Sequence, residues 1–300
     1  MRYILATITT IALASVPANE AIAQDAAVFT PSSAWALDYG DDYCRLMRDF
    51  SDGDDTIGLF IERTQPGPFV RLIVIGDGVR LFRGAEQIGY RMNPGGAPRT
   101  VQKLRFLTGD GQQYLNLGPT TLADAPTPAP GAPPSFPARY TPEGETAAAA
   151  QITGLTLDGG LTSPVRIETG SLGSAATALQ ACADDLLASW GLDPELHKGL
   201  TRPAMPSAPT AGWIAADTIP FADFAKLSGG NNELRVIVDA QGQPQSCAVQ
   251  FPALDAAVNQ RVCAAVMEKA AFAPALDAAG QPMASYWTSS VFFLLPPFGG

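Results

Sequence analysis

The chain has 300 residues, of which 46% are hydrophobic and 16% charged, a composition that buries cores and excludes wholesale disorder. Its 19 Lys and Arg against 29 Asp and Glu leave a formal net charge of -10, which repels phosphate backbones and excludes nucleic-acid binding or a polybasic membrane patch. A single histidine, His197, and four cysteines are too few soft ligands for a His-rich metal centre, and no Ser/His/Asp set can form without His197.

At the amino terminus Arg2, an apolar stretch over 3–16, Pro17 and the small-x-small set Ala21-Ile22-Ala23 stand in the order of a signal peptide. Residues 1–23 therefore read as a cleaved leader. The apolar stretch falls short of the roughly 20 residues that span a bilayer, and Asn19 and Glu20 close it. The mature chain is expected in the periplasm, with retention as an inner-membrane anchor as the alternative.

Short alternating apolar runs broken by Gly, Asp and Pro follow at 35–39, 44–50, 57–62, 69–75, 101–107, 114–117, 152–157 and 165–167. They predict antiparallel strands. Gly76-Asp77-Gly78 is placed for a tight hairpin turn, because an Asp-Gly pair readily takes positive φ. Between 125 and 142 seven prolines (126, 128, 130, 133, 134, 137 and 142) deny a sheet its amide donors, so this segment is expected to be a long exposed loop. Helical spacing at 172, 175, 179, 182, 183, 186, 187 and 190, with Gly191 beyond, predicts a helix over 171–190 that closes a β-rich domain of residues 24–200. The Pro-containing run 202–209 marks a linker at 201–213. In the last unit, 214–300, strands are expected at 234–238, 245–251 and 285–295, with a helix over 254–271 between the second and third. The fold class is thus α+β: a mainly antiparallel β domain with a closing helix, then a small two-layer β-β-α-β domain.

An exported chain meets an oxidising compartment, where disulfides persist. Strand alternation puts Cys247, Val249 and Phe251 on one face, and helical spacing puts Cys263 beside Val262 and Val266. Cys44 likewise shares a face with Leu46 and Phe50, while Cys182 lies beside Leu179 and Leu186. Cys44 with Cys182 and Cys247 with Cys263 are the expected pairs, against an alternative of four buried free thiols.

Chemistry-bearing patterns are sparse. Asp49, Asp52, Asp54 and Asp55 form the densest acidic cluster, but twelve residues counted from Asp49 or Asp52 end on Phe60 or Arg63, so the EF-hand pattern fails and a solvated turn is expected. Asp41-Asp42 and Asp184-Asp185 diverge on a strand or helix and read as surface charge. His197, in Leu196-His197-Lys198, reads as a solvated residue past the helix. No catalytic residue, cofactor or metal is expected, and the chain is read as non-enzymatic.

The strand-turn-strand Val236-Ile237-Val238-Asp239-Ala240-Gln241-Gly242, the Leu254-Asp255 that opens the helix, Phe272-Ala273-Pro274-Ala275, Gly280-Gln281-Pro282 and the closing Phe292-Phe293-Leu294 occur in an order and spacing that resemble the TonB carboxy-terminal domain family over roughly 217–296. The resemblance implies a periplasmic domain that receives an extended peptide at a sheet edge, where unpaired N–H and C=O groups accept a partner strand. It makes the last strand the candidate edge, with Tyr286, Thr288, Ser290 and Phe292 on one face. The implied partner is an extended segment of another envelope protein, an outer-membrane transporter among the candidates, and peripheral membrane association is compatible with this. A cleaved leader and a linker of about a dozen residues fit a secreted adapter for envelope transport or assembly. The alternative is a membrane-anchored TonB-type energy transducer with an uncleaved amino-terminal segment.

Overall fold

A computed structural model describes residues 26–103, 106–123, 140–215, 218–220, 231–250 and 256–292. Residues 1–25, which include the segment expected to be a leader, and residues 124–139, most of the Pro-rich segment, lie outside the described residues. Among the described residues no helix is long and apolar enough to cross a membrane.

The chain begins with β1 (Ala27–Pro31), β2 (Ala36–Tyr39), β3 (Cys44–Ser51), β4 (Thr56–Arg63) and β5 (Phe69–Ile75). It continues through β6 (Gln87–Asn93), β7 (Arg99–Gln102), β8 (Phe106–Leu107) and β9 (Gln113–Thr121). Past α1 (Pro142–Gln151) come β10 (Gly154–Gly159), β11 (Val165–Ile167) and α2 (Gly173–Ser189). All these strands join one sheet in the order β7-β6-β10-β11-β1-β3-β4-β5-β9-β8, with β2 paired to β3. Strand β1 is the corner: Ala27 to Phe29 run parallel to β11, whereas Thr30 and Pro31 pair antiparallel with β3. β7 at one end of the sheet reaches β9, next to the other end, through side chains, Arg99 donating to the Thr120 hydroxyl and to the Thr121 carbonyl. The sheet is therefore nearly closed around one core.

Period-two alternation sends Leu59 and Ile61 of β4, Ile88 and Tyr90 of β6, and Leu115 and Leu117 of β9 into that core, all nearly inaccessible. Helix α2 presents Ala175, Ala176, Leu179, Cys182 and Leu186 to the same core. Cys182 is joined to Cys44 of β3, a closure of 138 residues worth about 5 kcal/mol in the chain-entropy account.

The sequence reading and the structure differ in several places. The run over 101–107 divides into β7 and β8, and β1, β6 and α1 are additional elements. Gly76-Asp77-Gly78 does not join two paired strands: β5 pairs with β4 and β9, and the next strand, β6, pairs with β7 and β10. Gly76 instead lies at φ +136° against β4, where an added Cβ would stand 2.6 Å from the Thr56 carbonyl oxygen. Its glycine serves a close backbone approach, and the turn delivers Val79 into the core.

A second core follows. After α3 (Pro194–Lys198) come β12 (Met205–Pro206), β13 (Asn231–Val238), β14 (Pro244–Gln250) and α4 (Ala256–Lys269). The described chain ends with β15 (Phe272–Ala273), β16 (Ala275–Leu276), β17 (Pro282–Met283) and β18 (Ser285–Phe292). The three long strands form a sheet in the order β14-β13-β18, all antiparallel. Leu234, Val236 and Val238 of β13 meet Val258, Val262 and Val266 of α4 in the core. Cys247 is bonded to Cys263 across this layer, and closure of the 16-residue separation contributes about 3 kcal/mol.

Residues 201–213, expected as a linker, are part of this core. Thr201 and Arg202 hydrogen-bond to Leu276, Met205 and Pro206 pair with Ala273 and Phe272, and Ala204 and Trp213 are buried. The prolines there suit a short edge pairing as well as a semi-extended connector.

Candidate functional site

Strand β18 ends the three-stranded sheet: among the described residues it pairs only with β13, in register from Ser285 opposite Val238 to Phe292 opposite Asn231. Its other backbone edge has no partner strand there. An edge of this kind offers alternate N–H and C=O groups in the geometry an added strand requires.

The two faces of β18 have different surroundings. Trp287 points to the second core, where it lies with Trp213 and Phe272 in a cluster of aromatic rings 5.4–5.5 Å apart. Tyr286 and Thr288 point to the amino-terminal sheet. The Tyr286 hydroxyl donates to the Pro66 carbonyl at 3.0 Å, and the Thr288 hydroxyl donates to Gln65 Oε1 at 2.5 Å, both in the loop between β4 and β5. The candidate residues Tyr286 and Thr288 are thus held by an intramolecular seam, and their hydroxyls are already bonded. The side chains of Ser290 and Phe292 lie outside the described residues, although their backbones continue the ladder.

Around this seam the structure gathers residues that the sequence reading placed elsewhere or left out. On β13, Glu233 pairs with Arg71 of β5, and Arg235 pairs with Asp42 at 2.5 Å. The Arg235 guanidinium also lies 4.0 Å from the centroid of the Trp190 ring, a cation–π contact. Trp190 meets Tyr286 edge-on at 5.4 Å, and His197 stacks on Tyr286 at 6.1 Å and 19°. His197 is not a solvated residue: Nδ1 is 2.8 Å from the Asp193 carbonyl and Nε2 is 3.1 Å from the Ser285 hydroxyl. Burial holds its pKa below the usual imidazole value, opposed by the Asp193 carbonyl and carboxylate. Asp42 and Asp184, read as surface charge, are ion-paired with Arg235 and Lys198.

Beneath the seam, inside the amino-terminal core, Arg63 and Glu145 form an ion pair at 2.5 Å with both side chains 1% exposed. Tyr140 and Gln180 each donate to the second carboxylate oxygen of Glu145, at 3.0 and 2.7 Å. Burial pushes the Tyr140 phenol up to about 12, and the Tyr286 phenol is raised by burial as well. Thr141 caps the amino end of α1 by accepting from the Gly144 N–H, which fixes the turn that carries Glu145 inward. Buried charges of this kind leave no periodic signal in a sequence.

A cleft of about 470 Å³ lies between the β2–β3 turn, the end of α2 and Arg235, with Asp41, Asp42, Asp185 and Trp190 on its walls. Inside the nearly closed sheet a void of about 10 Å³ among Leu59, Leu72, Met92 and Leu172 is smaller than a water site. The described sheet interior is packed with side chains. The acidic cluster at 49–55 is a turn in which the Asp52 carboxylate accepts from the backbone N–H of Asp54 and Asp55, which lowers its pKa. Among the described residues no three His, Cys, Asp or Glu side chains are arranged to hold a metal ion.

Comparison of the chain with protein-family models, with curated proteins and with solved structures finds no match.

Proposed function

We propose that this chain is an exported, periplasmic, non-enzymatic adapter whose TonB-like carboxy-terminal unit binds an extended segment of another envelope protein by adding it as a strand to β18. One observation carries the reading: β18 lies at the end of its sheet, paired on one side only among the described residues. Main-chain hydrogen bonds along that edge would supply affinity, and alternating side chains of the incoming segment would supply selectivity. The disulfides Cys44–Cys182 and Cys247–Cys263 suit an oxidising compartment, which supports the periplasmic assignment. The partner's role in envelope transport or assembly, with an outer-membrane transporter among the candidates, follows the family resemblance.

Site-specific photo-crosslinking in the native host tests the reading. A photoreactive residue placed in turn at Ser289, Ser290 and Val291 is expected to capture one envelope protein, with attachment points advancing monotonically along a single segment of it. Capture without such a register, or capture equal to that from Asp54 on the far β3–β4 turn, would overturn strand addition.

A further inference from the structure

We infer that His197 is an acid-sensitive latch that holds the carboxy-terminal sheet against the amino-terminal one. The ring sits where the two cores meet, on α3 directly after α2, with β18 against it. The Asp193 carbonyl can only accept, so Nδ1 carries the hydrogen at neutral pH and Nε2 accepts from the Ser285 hydroxyl. Protonation turns both nitrogens into donors. The Ser285 hydroxyl, 1% exposed, must then reverse and direct its own hydrogen to another acceptor in a buried site.

The charges around the ring do little to offset this. From its own helix the Asp193 carboxylate faces it, but that carboxylate accepts from the Glu195 and Leu196 N–H groups. From β18 the facing group is the neutral Tyr286 phenol, itself close to Arg63 and Tyr140. From the end of α2, Trp190 carries Arg235 on its face, with Asp42 already paired to that cation. Lys198, the next residue, is paired with Glu195 and Asp184. Protonated His197 would thus be a second cation on the column Arg235, Trp190, Tyr286.

The sign follows from linkage. Burial in the docked chain holds the imidazole pKa below its free value of 6.5. The undocked chain therefore takes up a proton first as pH falls, and docking is lost from about 6.5 downward by at most about tenfold per pH unit for one proton.

The only imidazole in the chain gives an unambiguous titration by proton NMR of the exported protein. A midpoint below 6.5 is expected, with the backbone amides of Gln65, Tyr286 and Thr288 shifting at the same midpoint and the radius of gyration rising in small-angle scattering. The variant His197→Gln has no titratable ring and is expected to hold those amides unchanged from pH 7.5 to 5. A midpoint at or above 6.5, seam amides that do not follow the imidazole, or a His197→Gln chain that opens over the same range would each overturn the latch. Should the variant fail to fold, the wild-type comparison of imidazole and seam amides decides alone.

Discussion

Glu145 is the residue whose loss should cost most. Arg63 is 1% exposed and the carboxylate is its ion-pair partner, so Glu145→Ala strands a buried guanidinium and should destabilise the protein by about 3–5 kcal/mol. The double variant Arg63→Met, Glu145→Leu removes both charges and should cost much less, which urea unfolding of the three chains would show. Raised phenols, Tyr140 and Tyr286 among them, set a limit at high pH. The folded state keeps Tyr140 protonated to about 12, against 10.0 for a free phenol, so the unfolded chain loses its proton first and stability falls from about pH 10 upward. Tyr140→Phe should reduce the fall of the urea midpoint between pH 10 and 11, leaving the part that Tyr286 contributes. Little of this was legible in the sequence. The burial of His197 is hidden because its partners, Ser285 and Tyr286, lie nearly ninety residues away, and Arg63 and Glu145 lie in no sequence pattern that marks them as a buried pair.

Elements were more legible than residues where one periodicity ruled. β5 and β11 match their expected spans, and α2 and α4 follow their apolar stripes. Both cysteine pairs follow from the faces that those periods define. β6 carries the same alternation, Ile88, Tyr90 and Met92 inward with Gly89, Arg91 and Asn93 between them, and was legible although the sequence reading omitted it. α1, with the sequence PEGETAAAAQ, has almost no apolar face to betray it. The segment 201–213 shows the opposite error, since its prolines suggested a connector while Trp213 anchors the second core. Trp213→Ala should therefore destabilise the carboxy-terminal core by about 3–5 kcal/mol, and a fragment beginning at 214 should fail to fold where one beginning at 199 succeeds. Circular dichroism with thermal melting of the two fragments would check this. A folded 214–300 fragment of equal stability would return the segment to the status of a linker.

On the scale of the molecule, two cores meet along one seam built from Arg71–Glu233, Arg235–Asp42, the Trp190–Tyr286–His197 column and the hydroxyls of Tyr286 and Thr288. The seam takes Tyr286 and Thr288 of β18 and, among the described residues, leaves its outer backbone edge without a partner strand, so side-chain recognition through Tyr286 and Thr288 is not available to a partner while the two cores are docked. This division between face and edge was not legible from residues 286–295 alone, because alternation defines faces and only the fold decides which neighbour covers them.

Amide hydrogen exchange along β18 of the isolated protein, resolved by NMR, tests the free edge most directly. Antiparallel pairing on one side protects every second amide, so protection should alternate from Ser285 to Phe292, with the unprotected set exchanging within minutes at neutral pH. Continuous protection along the strand would mean that the edge is already paired or covered, and would contradict strand addition at β18.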